Sequence, residues 1–86
     1  MKFEYDRRKS HANKRKHGID FEEAQLLWED PNRLEVPART EDEKRFVLTG
    51  RIAEISWSAV FTIRVDRIRI ISVRHARRKE VRAYEG

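Results

Sequence analysis

Apolar residues recur along this chain with two different periods, and the change between them divides the predicted elements. After Asp20 the spacing is helical, and it involves Phe21, Ala24, Leu27 and Trp28. Asp20 and Glu23 have the spacing of a capping box, and Pro31 ends the helix. From Lys44 onwards the period is two, which is typical of strands with one buried face.

The remaining elements are predicted from caps and turns. Asp6 is a candidate N-cap for a first helix that runs to about His17, with Gly18 just past its end. We predict a short strand at 3–5, strands at 45–49, 55–63 and 68–73, and a closing helix over 75–85. Gly50 is expected to open a turn, residues 65–66 form another, and the stretch between Pro31 and Pro37 is irregular.

These elements define an α+β fold with two N-terminal helices, an antiparallel sheet meander and a C-terminal helix. The short connections make the three main strands antiparallel neighbours. The expected core is Phe21, Leu27, Trp28, Phe46, Leu48, Ile55, Trp57, Phe61, Ile68 and Ile70.

Length and composition narrow the function classes. At 86 residues we expect one small domain, residues 1–86, with little room for a large cofactor. The absence of cysteine excludes a disulfide scaffold, a thiol nucleophile and a thiolate zinc site. No apolar run is long enough to span a membrane and the N-terminus lacks a secretory signal, so a cytoplasmic protein is expected.

The charge is divided into three blocks. Residues 1–18 hold 7 basic and 2 acidic side chains, residues 19–63 hold 5 and 10, and residues 64–86 hold 8 and 3. Two basic ends therefore flank an acidic middle. Such ends attract nucleic acid, an anionic membrane surface or an acidic partner, although they can also be solvated helix faces.

The candidate chemistry is concentrated in arginines near the C-terminus. Arg67 and Arg69 share a strand face by alternation, and Arg74 stands where strand changes to helix. A metal-free ribonuclease needs such groups, because attack of the ribose 2′-hydroxyl on phosphate creates a more negative transition state. The candidate proton carriers are His17, His75, Tyr84, Glu4 and Asp6. The alternative is that these arginines only solvate the helix and pair with Glu80 and Glu85.

Other chemistries lack their motifs. The three histidines, His11, His17 and His75, show no metal-ligand spacing, so no metal site is predicted. The three glycines are scattered, which argues against a phosphate-binding glycine loop, and no serine has a hydrolase context. No cofactor is expected.

Several blocks along the chain resemble the BrnT toxins, in the family's order. They are residues 2–6 (KFEYD), 13–24 (Asn13, Lys16-His17-Gly18-Ile19, Phe21-Glu22-Glu23-Ala24), 30–31, 43–46 (EKRF), Gly50, 57–60 (WSAV), 67–74 (RIRIIS and Arg74) and 80–85 (Glu80, Tyr84-Glu85). The resemblance covers essentially the whole chain.

The resemblance implies a RelE-like fold and the toxin half of a bacterial type II toxin–antitoxin pair. It implies an endoribonuclease that inhibits translation, and together with the arginines and the missing metal motif this predicts cleavage without a metal ion. The sequence does not decide whether cleavage needs the ribosome. A BrnA-like antitoxin would neutralise it, and operator DNA would be bound only through the antitoxin complex.

Carried over by position, the implied site falls into two groups. The candidate catalytic residues are His17, Arg45, Arg69, Arg74 and Tyr84. The candidate RNA-binding residues are Lys14, Lys16, Arg67, His75, Arg77 and Arg78. We expect Arg69 and Arg74 to bind phosphate and stabilise transition-state charge, and Tyr84 or His17 to carry the proton.

Two other functions stay open. The first is a non-catalytic module that binds nucleic acid or antitoxin in operon autoregulation, since no general base stands out. The second is a repressor that binds DNA on its own, but no helix-turn-helix pattern is evident.

Overall fold

A computed structural model describes residues 2–39 and 43–86, and within them the chain forms a five-stranded mixed sheet. The strands are β1 (Lys2–Glu4), β2 (Leu34–Ala38), β3 (Arg45–Ile52), β4 (Ile55–Arg64) and β5 (Arg67–His75). The helices are α1 (Arg7–His17), a 3₁₀ helix (Glu23–Glu29) and α2 (Arg78–Glu85). The α+β class is therefore confirmed.

The sheet has the order β1-β5-β4-β3-β2. The predicted meander is confirmed, because β3, β4 and β5 pair antiparallel in sequence order. The sheet is not purely antiparallel, however, since β1 pairs parallel with β5. No local pattern predicts that pairing, because it joins the two ends of the chain.

The first N-terminal helix begins and ends as predicted. The Asp6 carboxylate accepts the N–H groups of Arg8 and Lys9 at 2.8 and 3.1 Å, and Gly18 adopts the left-handed conformation with a φ of 88°. Asn13 ties α1 to the free part of the β5 edge. Its amide donates to Val73 O at 2.9 Å and accepts from Val73 N at 3.2 Å.

The second N-terminal helix is a 3₁₀ helix instead of the expected α-helix. Its predicted capping box is present, because Glu23 N donates to Asp20 Oδ1 and Asp20 N donates to Glu23 Oε1. With three residues per turn, Ala24 and Leu27 align on one side of a 3₁₀ helix. Both are fully buried in the core, so the 3₁₀ winding turns this pair towards the sheet.

Two predictions about the middle of the chain are wrong. The stretch between the prolines contains β2, an edge strand that tolerates Pro37 because an edge residue needs no second ladder partner. Gly50 lies inside β3 opposite Trp57, and the turn falls later, at Ala53 and Glu54. A Cβ at Gly50 would lie 3.2 Å from Asp30 Oδ2, so this glycine permits close approach of the 3₁₀ helix end.

One face of the sheet carries the core. Leu48, Ala59 and Val73 are fully buried there beneath the segment 19–28. Of the predicted core, Phe46 is only partly buried. The prediction that Ile55 belongs to the core is wrong, because this residue is 46% exposed at the start of β4. The closing helix also begins later than predicted, because β5 continues to His75.

Within the described ranges, no helix is both long and apolar enough to cross a membrane.

Candidate functional site

The sheet face opposite the core carries arginines in a cross-strand row. Arg45, Thr62, Arg69 and Glu4 are register neighbours on β3, β4, β5 and β1. Arg69 Nη1 donates to Glu4 Oε2 at 3.2 Å. The Nε atom of Arg45 is buried with no hydrogen-bond partner in the described residues, and Glu43 Oε1 lies 3.8 Å from it. We call this side of the sheet the arginine face.

A β-bulge brings Arg74 to the same face. Arg69 pairs with Thr62 and Arg74 with Ser58, so β5 takes five residue steps where β4 takes four, and Ile71 is the extra residue. Strict alternation would place Arg69 and Arg74 on opposite faces. The bulge therefore assembles a surface that residue spacing alone does not predict.

Glu80 of α2 fixes Arg74 in place. Arg74 Nη1 and Nη2 donate to the two carboxylate oxygens of Glu80 at 2.7 and 2.9 Å. Glu80 Oε1 also accepts Ser58 Oγ at 2.9 Å and Arg77 N at 2.8 Å. Because the Ser58 hydroxyl donates to Glu80, the Thr49 hydroxyl donates in turn to Ser58 at 2.8 Å.

This network sets the charge of Glu80. The Arg74 hydrogen bonds are the main cause that lowers its pKa to about 2, helped by Arg77 N and Ser58 against the opposing effect of burial. Glu80 is therefore ionised at neutral pH and weakly basic. It orients Arg74 and is a poor general base.

Arg74 keeps one edge of its guanidinium available. The pair with Glu80 uses the end-on fork formed by Nη1 and Nη2. No hydrogen bond of the described residues uses Nε. The Nε–Nη2 edge can therefore form a second bidentate contact, and phosphate oxygens match that geometry.

Tyr84 lies at the far end of α2, in a separate cluster. Its hydroxyl donates to Asp30 Oδ2 at 2.6 Å, and the Arg51 guanidinium lies 5.4 Å from its ring centre. Asp30 also accepts the N–H groups of Arg51 and Asn32. The hydrogen bond to Asp30 raises the pKa of Tyr84, so the phenol keeps its proton at neutral pH.

Asp30 remains the charged member of that cluster. Burial alone would raise its pKa, but the hydrogen bonds from Tyr84, Arg51 and Asn32 outweigh burial, and the net pKa is lowered.

The structure brings together some of the predicted site residues. Arg45, Arg69 and Arg74 share the arginine face, and Arg67 is the register neighbour of Arg64 on β4. His17 is half-buried at the end of α1, and no hydrogen bond or ion pair of the described residues links it to the three arginines. Tyr84 reaches Asp30 instead of the row.

The predicted RNA-binding residues are dispersed. Lys14 forms a 2.7 Å ion pair with Glu23, whereas Lys16 is exposed. His75 stacks on Trp57 with ring centres 4.2 Å apart, on the core side of β5, since it alternates with Arg74. Arg77 and Arg78 are exposed at the start of α2.

Sequence reasoning missed three positioning groups: Glu80, Asp30 and Arg51. From the sequence, Glu80 is predicted only as a carboxylate that pairs with the arginines. Its spacing of three from Arg77, which is that of an N-cap and N3, was the available signal. Asp30 and Arg51 are brought together by tertiary structure and carry no such signal.

The described residues contain no group of three or more histidines and carboxylates arranged to hold a metal ion.

An open sheet face with fixed guanidinium groups defines a surface suited to the phosphates of nucleic acid. The family of ribonuclease toxins called BrnT, of type II toxin–antitoxin systems, matches residues 5–80. The chain therefore belongs to the BrnT toxin family. No curated protein matches the sequence.

Proposed function

We propose that this protein is an endoribonuclease that cleaves RNA without a metal ion and thereby inhibits translation. In this proposal residues 1–86 form one domain with a RelE-like fold that acts in the cytoplasm. Membership of a ribonuclease toxin family supports an RNA substrate. The arginine face is the proposed place of cleavage, because its guanidinium groups suit the phosphates of RNA.

The observation that carries the proposal is the fixed geometry of Arg74. The two terminal nitrogens of its guanidinium each donate to one carboxylate oxygen of Glu80. The side chains of Arg74 and Glu80 are each 23% exposed. A cation held in advance stabilises developing charge without reorganising during the reaction. Arg74, assisted by Arg45 and Arg69, would bind the scissile phosphate. It would also stabilise the negative charge that develops on the phosphate oxygens when the 2′-hydroxyl attacks.

The protonation states of the candidate groups decide which of them can donate or accept a proton. Tyr84 keeps its proton at neutral pH, which suits a general acid and not a base. His17 is retained as the second candidate carrier, and RNA would have to approach the end of α1 to use it. Lys16, Arg67, Arg77 and Arg78 are proposed to bind flanking phosphates.

A small antitoxin is the proposed protein partner. Type II toxins are neutralised by a protein antitoxin, and the resemblance points to a BrnA-like one. It would cover the arginine face and carry the operator-binding function of the complex.

Inducible expression in a bacterial host tests the proposal. Wild type, Arg74→Lys and the control Arg39→Gln are compared at matched soluble levels, following growth and RNA integrity. We expect arrest and RNA cleavage from wild type and control, and about 100-fold slower cleavage by Arg74→Lys, because lysine lacks the planar fork. Cleavage of purified RNA and of ribosomes, each with and without a chelator, tests the metal and ribosome requirements.

The opposite result has a defined meaning. If folded wild-type protein neither slows growth nor cuts RNA in either assay, the ribonuclease proposal is wrong. The remaining function would be a non-catalytic module that binds antitoxin or nucleic acid.

A further inference from the structure

The outward side of α1 carries a second cluster of cations, separate from the arginine face. At about 100° per residue, four side chains of α1 fall within an arc of about 100°. They are Arg7, Arg8, His11 and Arg15, which we call the α1 stripe. The two buried residues of the helix, Ser10 and Asn13, point to the other side.

The arginines of the stripe form no ion pair within the described residues. Helix α1 contains no acidic residue, and no ion pair of the described residues involves Arg7, Arg8 or Arg15. Lys14, by contrast, is neutralised by Glu23. Three permanent charges therefore stand within about 12 Å along the helix, at about 1.5 Å per residue.

Two grooves border the stripe. A groove of about 480 Å³ lies between α1 and the segment 20–22, where Asp20 and Glu22 supply a negative wall opposite the cations of α1. A second, of about 610 Å³, is lined by all four stripe residues. In this second groove the His11 ring lies among guanidinium groups. A flat ring beside such groups is a surface on which a nucleic-acid base can stack, whereas an acidic protein segment would need only the charges.

The stripe begins next to the arginine face. Glu4, which holds Arg69, is followed two residues later by Asp6, the N-cap of α1. Asp6 lies within electrostatic reach of Arg69: its pKa is lowered mainly by the N–H of Lys9, and also by the Arg69 charge. The start of α1 therefore lies close to Arg69.

We propose that the α1 stripe binds the phosphates of an RNA segment that flanks the cleavage site. The inference rests on the proposed function, because it extends the path of the same substrate. The stripe would contribute affinity for long RNA without touching the reacting atoms. It would thus determine how well the enzyme distinguishes a long strand from a short one.

The test compares Arg8→Gln/Arg15→Gln with the control Arg39→Gln/Lys79→Gln, which removes the same charge elsewhere on the exposed surface. The probes are mixed-sequence single-stranded RNAs of about 5 and about 20 nucleotides. The shorter length falls within the site sizes at which proteins bind single strands, and the longer one exceeds them. We expect the stripe variant to raise Kd and KM about tenfold for the longer RNA only, with kcat unchanged. The slope of log Kd against log salt should fall by about 1.4, at about 0.7 per phosphate contact.

The outcomes separate this inference from the proposed function. Unchanged binding of both RNAs, or equal weakening of both, overturns the stripe as a flanking site. Weaker binding of the purified antitoxin with RNA binding unchanged assigns the stripe to a protein partner, which also overturns it. If wild type binds long RNA through the stripe but cleaves none, the stripe stands and the ribonuclease proposal falls.

Discussion

At the residue scale, the Asn13 side chain forms the backbone hydrogen bonds that a neighbouring strand would otherwise form at the β5 edge. It is 8% exposed, and its amide pairs with both Val73 backbone groups while also donating to Ile19 O at 2.8 Å. Asn13→Ala would leave these buried groups without partners, so we expect a loss of about 2–4 kcal/mol in the free energy of unfolding. Urea denaturation measures it. Lys9→Ala, on the exposed side of α1, should change stability by less than about 0.5 kcal/mol, and a similar loss there would contradict the assignment.

Glu80 makes stability depend on acid. Its folded-state pKa of about 2 lies below the ordinary 4.5, so its contribution is complete above about pH 4.5 and is lost as the pH falls through 2. Discounted for solvent screening, this amounts to about 1–2 kcal/mol. Glu80→Gln should lose that part of the pH dependence between pH 5 and 2 in thermal melts. Glu85→Gln, which removes an exposed ion pair with Arg51, should keep it, and equal curves for Glu80→Gln and wild type would refute the assignment.

At the scale of elements, the β3–β4 hairpin is strained at its turn. Ala53 and Glu54 both have positive φ, 48° and 71°, which is the type I′ geometry that favours Asn-Gly. Ala53→Asn/Glu54→Gly should therefore raise the free energy of unfolding by about 1 kcal/mol. Chemical denaturation would show this as a higher midpoint at an unchanged m-value. Glu54→Gln keeps the strain and should leave the midpoint in place, and a lower midpoint for the double variant would disprove the turn type.

At the scale of the whole molecule, the net charge is +5, and the basic excess is concentrated in the two ends of the chain. Binding of RNA should weaken with salt because counterions are released from the phosphates. Three contacts on the arginine face alone give a slope of about −2 in log K against log salt. Filter binding between about 50 and 200 mM salt measures it. A flat profile would exclude the arginine face as the RNA surface.

The features that the sequence predicts correctly are those that depend on residues close together in the chain. The Asp6 and Asp20 caps, Gly18 and the turn at 65–66 were predicted because each depends on neighbours within a few residues. The bulge at Ile71, the role of Gly50 and the Tyr84–Asp30 contact depend on elements distant in the chain. For the candidate site, the sequence points to Arg69 and Arg74 as residues, but not to the face that they share, because that depends on the bulge.

The parallel pairing of β1 with β5 has a consequence for the order of folding. Glu4 and Arg69 are 65 residues apart, and Asn13 and Val73 are 60 apart. Such high contact order slows folding, since the loop must close before the contacts form. During synthesis neither the first strand nor the first helix can dock until β5 has left the ribosome. Until then the nascent chain lacks the contact between Glu4 and Arg69, so the arginine face is completed only late in synthesis.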